Sequence, residues 1–292
     1  MSSQVVPLLL SGVALGSIYA IVALGFVLVI KATGVLNFAH GYFLMFGGYL
    51  AVTFLVRLNL SFLVGMVLIS VIMALYGVAF HYGLMQWMIG KPFFSVVLVT
   101  VGMEILIRAG ILVVYGPVEF GRLNKMPEGG IAISGTQVSY VNMIVVLTAL
   151  VIVGGFFLFF RLSRMGLHMR AVADNLEASA AVGITPNRVY AVAWALGLVL
   201  AGIGGVLYGH FHSSVDLGMA AVGLRAFPAA ILGGIDSVHG AIIGGIIVGI
   251  VEALGAGLFG AQWRDVIAFG IMFLVLLWRP SGLFGSQEVV RV

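Results

Sequence analysis

The chain alternates long apolar runs with short polar interruptions, and the runs predict its elements. A helix crossing the roughly 30 Å hydrocarbon layer needs about 20 apolar residues. Residues 5–30, 32–56, 58–90, 129–160 and 189–215 each hold at least one such stretch. Residues 92–115 hold another, interrupted by Glu104 and Arg108, and residues 226–258 and 266–278 complete the set. The runs are continuous rather than alternating, which predicts helices and argues against outer-membrane barrel strands. The expected fold is all-α: a polytopic membrane helix bundle of about eight segments, some broken or re-entrant, with residues 1–292 forming one transmembrane domain.

Lys and Arg in the short connections set the orientation. With Lys31 inside, alternate counting puts Lys91, Arg161, Arg164, Arg170 and Arg188 inside and Arg57, Arg122 and Lys125 outside. No Lys or Arg precedes Lys31, so the first run lacks the basic flank of a signal peptide and is expected to be a retained span. Arg279 and Arg291 belong inside, which a single span over 226–256 would forbid. A segment that enters and returns resolves this, with a short arm near 224–232, a turn at 233–237 and a longer arm over 239–254. Its turn lies at membrane depth in one version; two ordinary spans with a tight loop are the alternative. His40-Gly41 with Gly47-Gly48 loosely echoes His239-Gly240 with Gly244-Gly245.

Composition narrows the class. Hydrophobic residues make up 62% and charged residues 8% of 292, against about 45–50% and about 25% in soluble domains. That excludes a soluble globule, and disorder too, because disordered chains are polar and charge-rich. There are 41 glycines, 20 phenylalanines and no cysteine, so disulfides, thiol catalysis and Cys-ligated metal centres are excluded. The net charge of +4 reports topology; no basic cluster is dense enough to track nucleic-acid phosphates.

Residues 161–188 form the longest polar connection and the expected cytoplasmic loop. A short helix is predicted over 167–182, with Leu167, Ala171, Leu176, Ala178 and Val182 on one side and Arg170, Asp174 and Glu177 elsewhere. Gly183 suits the end of that helix, and Thr185-Pro186 suits the start of the next span. The loop is either a rigid knob that another protein can push or a solvated connector.

The stretch Glu177-Ala-Ser-Ala-Ala-Val-Gly183 resembles the coupling loop of ATP-driven import permeases, with Ser179 where the usual pattern has Ala. Residues 16–25, Gly34-Val-Leu-Asn-Phe-Ala-His-Gly41, Gly183-Ile184, residues 230–240 and Arg279-Pro-Ser-Gly-Leu-Phe-Gly285 together resemble the LivH-type branched-chain amino acid permease family over essentially the whole chain. The resemblance implies a multi-pass subunit of the bacterial cytoplasmic (inner) membrane without cofactor. It implies a second, related permease chain, two cytoplasmic ATPases and a periplasmic solute-binding protein as partners. The coupling residues it implies are Arg170, Asp174, Glu177, Ala178 and Gly183. Permeases for urea, short amides or other amino acids are similar in the same way. An ion-coupled secondary transporter is the competing mechanism, and an intramembrane enzyme would need a convergent polar cluster that the sequence does not supply.

The chain has no Gly-x-x-x-x-Gly-Lys-Ser/Thr loop; Gly90-Lys91 is followed by Pro92. ATP chemistry is therefore expected in partners, not here. Glu104 and Arg108 share a helix face and are either part of a path or gate or an internal ion pair that fixes packing. Asn37, His40, Asp236 and His239 are the other candidates for a translocation path or gate. Glu252 is expected at an interface. His210, His212 and Asp216 are not spaced as helical metal ligands, so no metal site is expected. Glycine pairs Gly12/Gly16, Gly205/Gly209, Gly240/Gly244 and Gly245/Gly249 permit close helix contact, within the chain or with a partner permease. Trp87, Trp263 and Trp278 sit where interfacial anchors are expected.

Overall fold

The computed structural model describes residues 2–285 except 122, 124, 125, 128, 134 and 135. Arg122, Lys125 and Arg291 therefore lie outside the described residues. The elements in order are α1 (Ser2–Thr33), α2 (His40–Ala51) continued by a π-helical turn (Val52–Arg57), α3 (Phe62–Gly83), α4 (Phe93–Tyr115), β1 (Gly130–Ile133), β2 (Thr136–Ser139), α5 (Tyr140–Leu162), α6 (Arg164–Asp174), α7 (Leu176–Ala181), α8 (Pro186–His212), α9 (Ala220–Gly233), α10 (Val238–Phe259) and α11 (Arg264–Trp278). Among the described residues, seven helices are long and apolar enough to cross a membrane, and α9 with its preceding turn adds a shorter apolar one. The chain is a multi-pass membrane protein with a helical bundle, as its apolar runs require.

Two ends of the bundle are distinct. At one, Lys31, Arg161 and Arg170 gather around the α9–α10 turn, and His81 at the end of α3 meets Asn187 at the start of α8 at 2.5 Å. At the other, Thr53 meets Tyr115 at 2.5 Å, Phe120 pairs with Val215, and Arg57 lies over the rings of Tyr115 and Phe120. The positive-inside preference makes the first end cytoplasmic. The α9–α10 turn belongs to that end, where the Lys31 ammonium donates to the Asp236 carbonyl at 2.9 Å. In this arrangement α9 is the short arm, α10 is long enough to span, and the turn between them sits where Lys31 can reach it.

A further discontinuity lies before α2. Residues 34–39 are not helical, and His40, the first residue of α2, places its ring Nε2 3.1 Å from the Val22 carbonyl. Val22 is eleven residues from the end of α1, or about 16 Å along the axis. The run 32–56, read as one span, is thus a returning segment followed by a helix that starts inside the bundle. The run 129–160 needs a similar correction. Its first part is the β1–β2 hairpin, registered Gly130 to Ser139, because Ile131, Ile133, Thr136 and Val138 favour a pleated surface. Helix α5 begins only at Tyr140, capped by the Ser139 hydroxyl.

A long helix, a short helix and two further helices form α1–α4, and the same order recurs, reversed in direction, in α8–α11. The corresponding pairs α1–α10 and α3–α8 make the main contacts. Short helices α2 and α9 cross where Gly41 abuts Gly223. The His-Gly echo noted above does not mark this register, since His239-Gly240 opens α10, the counterpart of α3.

Close approach depends on glycine. A methyl group at Gly16 would fall 2.8 Å from the Ile246 Cα, and one at Gly12 2.8 Å from the Ile250 Cα. Gly245 and Gly249 meet Ala20 and Gly16, Gly205 meets Leu44 and Gly48, and Gly240 and Gly244 meet Gly233 and Ala229. All four glycine pairs therefore serve contacts within the chain.

Candidate functional site

A buried polar feature forms where α2 begins. The Asn37 side chain accepts from the Ala39 amide at 3.1 Å through Oδ1, which turns the chain into α2. Its Nδ2 and the Nδ1 of His40 have no hydrogen-bond partner, although Asn37 is 1% and His40 2% exposed. Buried polar atoms normally find partners. Both residues line a cavity of about 450 Å³ with Tyr42, Glu104 and the aromatic residues Phe26, Phe227 and Phe269. Phe26 holds this wall together, its ring 5.5 Å from His40 and 5.4 Å from Phe227, both edge-on. The cavity therefore combines an apolar wall with a carboxylate, and two unpaired nitrogens lie buried on residues that border it.

Glu104 lines the cavity, and Arg108, one turn on along α4, is exposed. The Tyr42 side chain interacts with both. Asp236 and His239 do not join Asn37 and His40. They line a separate cavity at the cytoplasmic end, where His239 lies against the Phe157 ring at 4.8 Å.

Sequence reasoning missed a further polar cluster. Glu252, expected at an interface, is 1% exposed, because the Tyr19 hydroxyl donates to its Oε2 at 2.7 Å and makes burial tolerable. Nearby, Arg225 pairs with Asp265 at 2.6 Å. The spacing of Tyr19 and Glu252, 233 residues apart, carries no local signal. Tyr19→Phe is expected to cost about 1–3 kcal/mol by stranding a buried carboxylate. Glu252→Gln, which keeps an acceptor for the phenol, costs less. Thermal unfolding of both variants checks this, and equal melting temperatures in all three proteins would refute it.

His210, His212 and Asp216 do not converge. His210 Nδ1 lies 2.9 Å from the Val206 carbonyl, His212 packs on Tyr208, and Asp216 caps the Gly218 amide at 2.5 Å. Trp87, Trp263 and Trp278 are 66%, 47% and 88% exposed near helix ends.

The cytoplasmic connection is two helices, not the single one expected over 167–182. Asn175 takes an extended conformation (φ −151°, ψ 107°) between α6 and α7 and caps α7 by accepting from the Ala178 amide at 2.9 Å. Arg170 is tied to the Phe160 carbonyl and ring. Asp174, Glu177 and Ala178 are exposed. Gly183 (φ +87°) ends α7, and the Ile184 amide reaches back to the Ser179 carbonyl, the closure that glycine allows after a helix. Leu176 and Val182 remain 44% and 77% exposed.

A membrane-crossing bundle with two short helices meeting at depth, a polar cavity at their junction and a helical knob at its basic end is the architecture of a membrane permease. The chain belongs to the family described as branched-chain amino acid transport system / permease component, whose match covers residues 8–276. It is similar to the high-affinity branched-chain amino acid transport system permease protein BraD of Pseudomonas aeruginosa, 32% identical over 97% of both chains. It is equally similar to the corresponding permease protein LivH of Escherichia coli, 32% identical over 97% of this chain and 96% of that one. The permease protein LivM of Escherichia coli matches at 28% identity over 46% of this chain and 32% of its own length. No solved structure matches the chain.

Proposed function

We propose that this permease is the LivH-type subunit of an ATP-driven importer for branched-chain amino acids in the bacterial cytoplasmic membrane. The observation that carries the substrate class is the mid-depth cavity. An aliphatic α-amino acid needs an apolar wall, an acceptor for its ammonium group and a donor for its carboxylate. Phe26, Phe227 and Phe269 offer the first, Glu104 the second, and the buried, unpaired Asn37 amide becomes the third when the entering solute uncovers it. His40 sits beside them on the same path. Asp236 and His239 lie away from this cavity, lining a separate one.

The chain lacks a phosphate loop, so the energy comes from partners. Residues 161–188 act as the coupling segment, with α6 and α7 docking in a groove of one of the two cytoplasmic ATPases that serve the permease pair. Arg170 braces this knob on α5, Gly183 closes it, and Asp174, Glu177 and Ala178 meet the partner. A periplasmic binding protein delivers solute at the opposite end. A second permease chain, for which the partial likeness to LivM offers a candidate type, covers the membrane face of α4. An exposed Arg108 at that depth is costly in lipid, and a protein partner removes the cost.

The test is uptake of labelled leucine by vesicles holding the permease with its partner permease, ATPases and binding protein. Asn37→Leu is expected to lower the uptake rate at least ten-fold, since it removes the donor and adds an apolar group. Association with the ATPases stays unchanged. Full uptake by Asn37→Leu would remove this cavity from the path.

A further inference from the structure

A second cavity, of about 820 Å³, opens at the cytoplasmic end away from the mid-depth site. Lys31 from α1, Arg161 from the end of α5 and Arg170 from α6 stand around it, facing, among the described residues, a single carboxylate, Asp236. Two of the cations are held in place by neutral acceptors. Lys31 donates to the Asp236 carbonyl at 2.9 Å, and Arg170 is fixed by the Phe160 carbonyl and lies 5.2 Å over its ring. A carbonyl orients a cation without neutralising it, so most donors of both remain available. Arg161 is exposed and has no ion-pair partner among the described residues. The cavity therefore holds an excess of positive charge.

Its other wall is apolar. Gly154, Phe157 and Leu158 of α5 line it. Gly154 lies seven residues before Arg161, about 10 Å deeper along the helix. Apart from its chain neighbours and its own helix backbone, no atom of the described residues stands within 4 Å of where a side chain at Gly154 would begin, and Leu158 is 63% exposed. Charge at the interface and an open apolar channel one or two turns deeper match an amphiphile with an anionic head. A soluble anion would use the rim and leave the channel unexplained.

We propose that this cavity binds one anionic phospholipid of the cytoplasmic leaflet. The phosphodiester lies among Lys31, Arg161 and Arg170, and an acyl chain runs along Gly154 and Leu158. Basic pockets between membrane helices on the cytoplasmic side favour such headgroups. The site stands independently of which solute the permease carries. Because Arg170 belongs to α6, a bound lipid also braces the α5–α6 junction.

The experiment is native mass spectrometry of the purified full chain after exchange into equal amounts of phosphatidylglycerol and phosphatidylcholine. One phosphatidylglycerol is expected to stay bound in preference. Arg161→Gln should weaken its retention about five-fold, the effect of one cation near a membrane surface. Arg164→Gln, which removes an exposed cytoplasmic cation outside the cavity, should leave it unchanged. Gly154→Phe fills the channel and should displace the lipid, while inorganic phosphate at the rim, read by competition with phosphatidylglycerol in the parent protein, competes only weakly. Equal retention of the two lipids overturns the proposal, as does an equal loss in Arg164→Gln. Retention unaffected by Gly154→Phe, with strong competition by inorganic phosphate, would make the site one for a free anion and overturn the lipid assignment. Elution of each variant at the parent position on gel filtration shows that it folds.

Discussion

Gly205→Val is expected to abolish folded permease in the membrane. Gly205 lies on α8, directly against the Leu44 carbonyl and near the Gly48 amide of α2. A side chain there would meet backbone, which cannot swing aside as a flexible side chain does. Overpacking a close contact costs about 1–3 kcal/mol even where side chains can shift, and membrane helices rely on this proximity for their packing. Moving α2 outward would also pull His40 from the Val22 carbonyl and disturb the cavity at its start. Folded yield, read by gel filtration of detergent extracts, should fall at least ten-fold. Gly102→Val is the control, because nothing lies near that position, and it should behave as the parent does. A normal yield for Gly205→Val would mean that α2 and α8 are not in this contact.

Glu177→Arg should leave the permease folded and inserted but cut ATP-driven uptake at least ten-fold. Glu177 is exposed in the first turn of α7. Its loss from a helix start costs only about 0.3–1 kcal/mol, too little to unfold the bundle. Reversing the charge at a docking surface is a larger effect, because like charges across an interface cost several kcal/mol. Co-purification with the ATPases and uptake in reconstituted vesicles are the two readouts. Undiminished uptake with the ATPases still bound would take α7 out of the coupling interface.

The sequence was most legible where its signals are local. Gly183 and Thr185-Pro186 announce the end of α7 and the start of α8, because left-handed backbone and a locked φ are properties of single residues. The split between α6 and α7 was not foreseen. Asn175 lies among good helix formers, and only its extended conformation and its bond to Ala178 end one helix and start another. The candidate path divided similarly. Asn37, His40 and Glu104 share a cavity, while Asp236 and His239 line another. Helix-face spacing places Glu104 and Arg108 together, and the Tyr42 side chain interacts with both.

From the sequence alone came the helical membrane class, the gathering of basic residues in the 161–188 connection and the lack of a phosphate loop. These follow from apolar length, charge placement and residue spacing, which accumulate along the chain without reference to distant partners. Tertiary structure decided that α2 begins beside Val22, that Glu252 is buried under Tyr19, and that Gly41 meets Gly223. Each depends on a contact between residues remote in sequence, and how deep a polar group can sit in a bilayer is set by the neighbour that satisfies it.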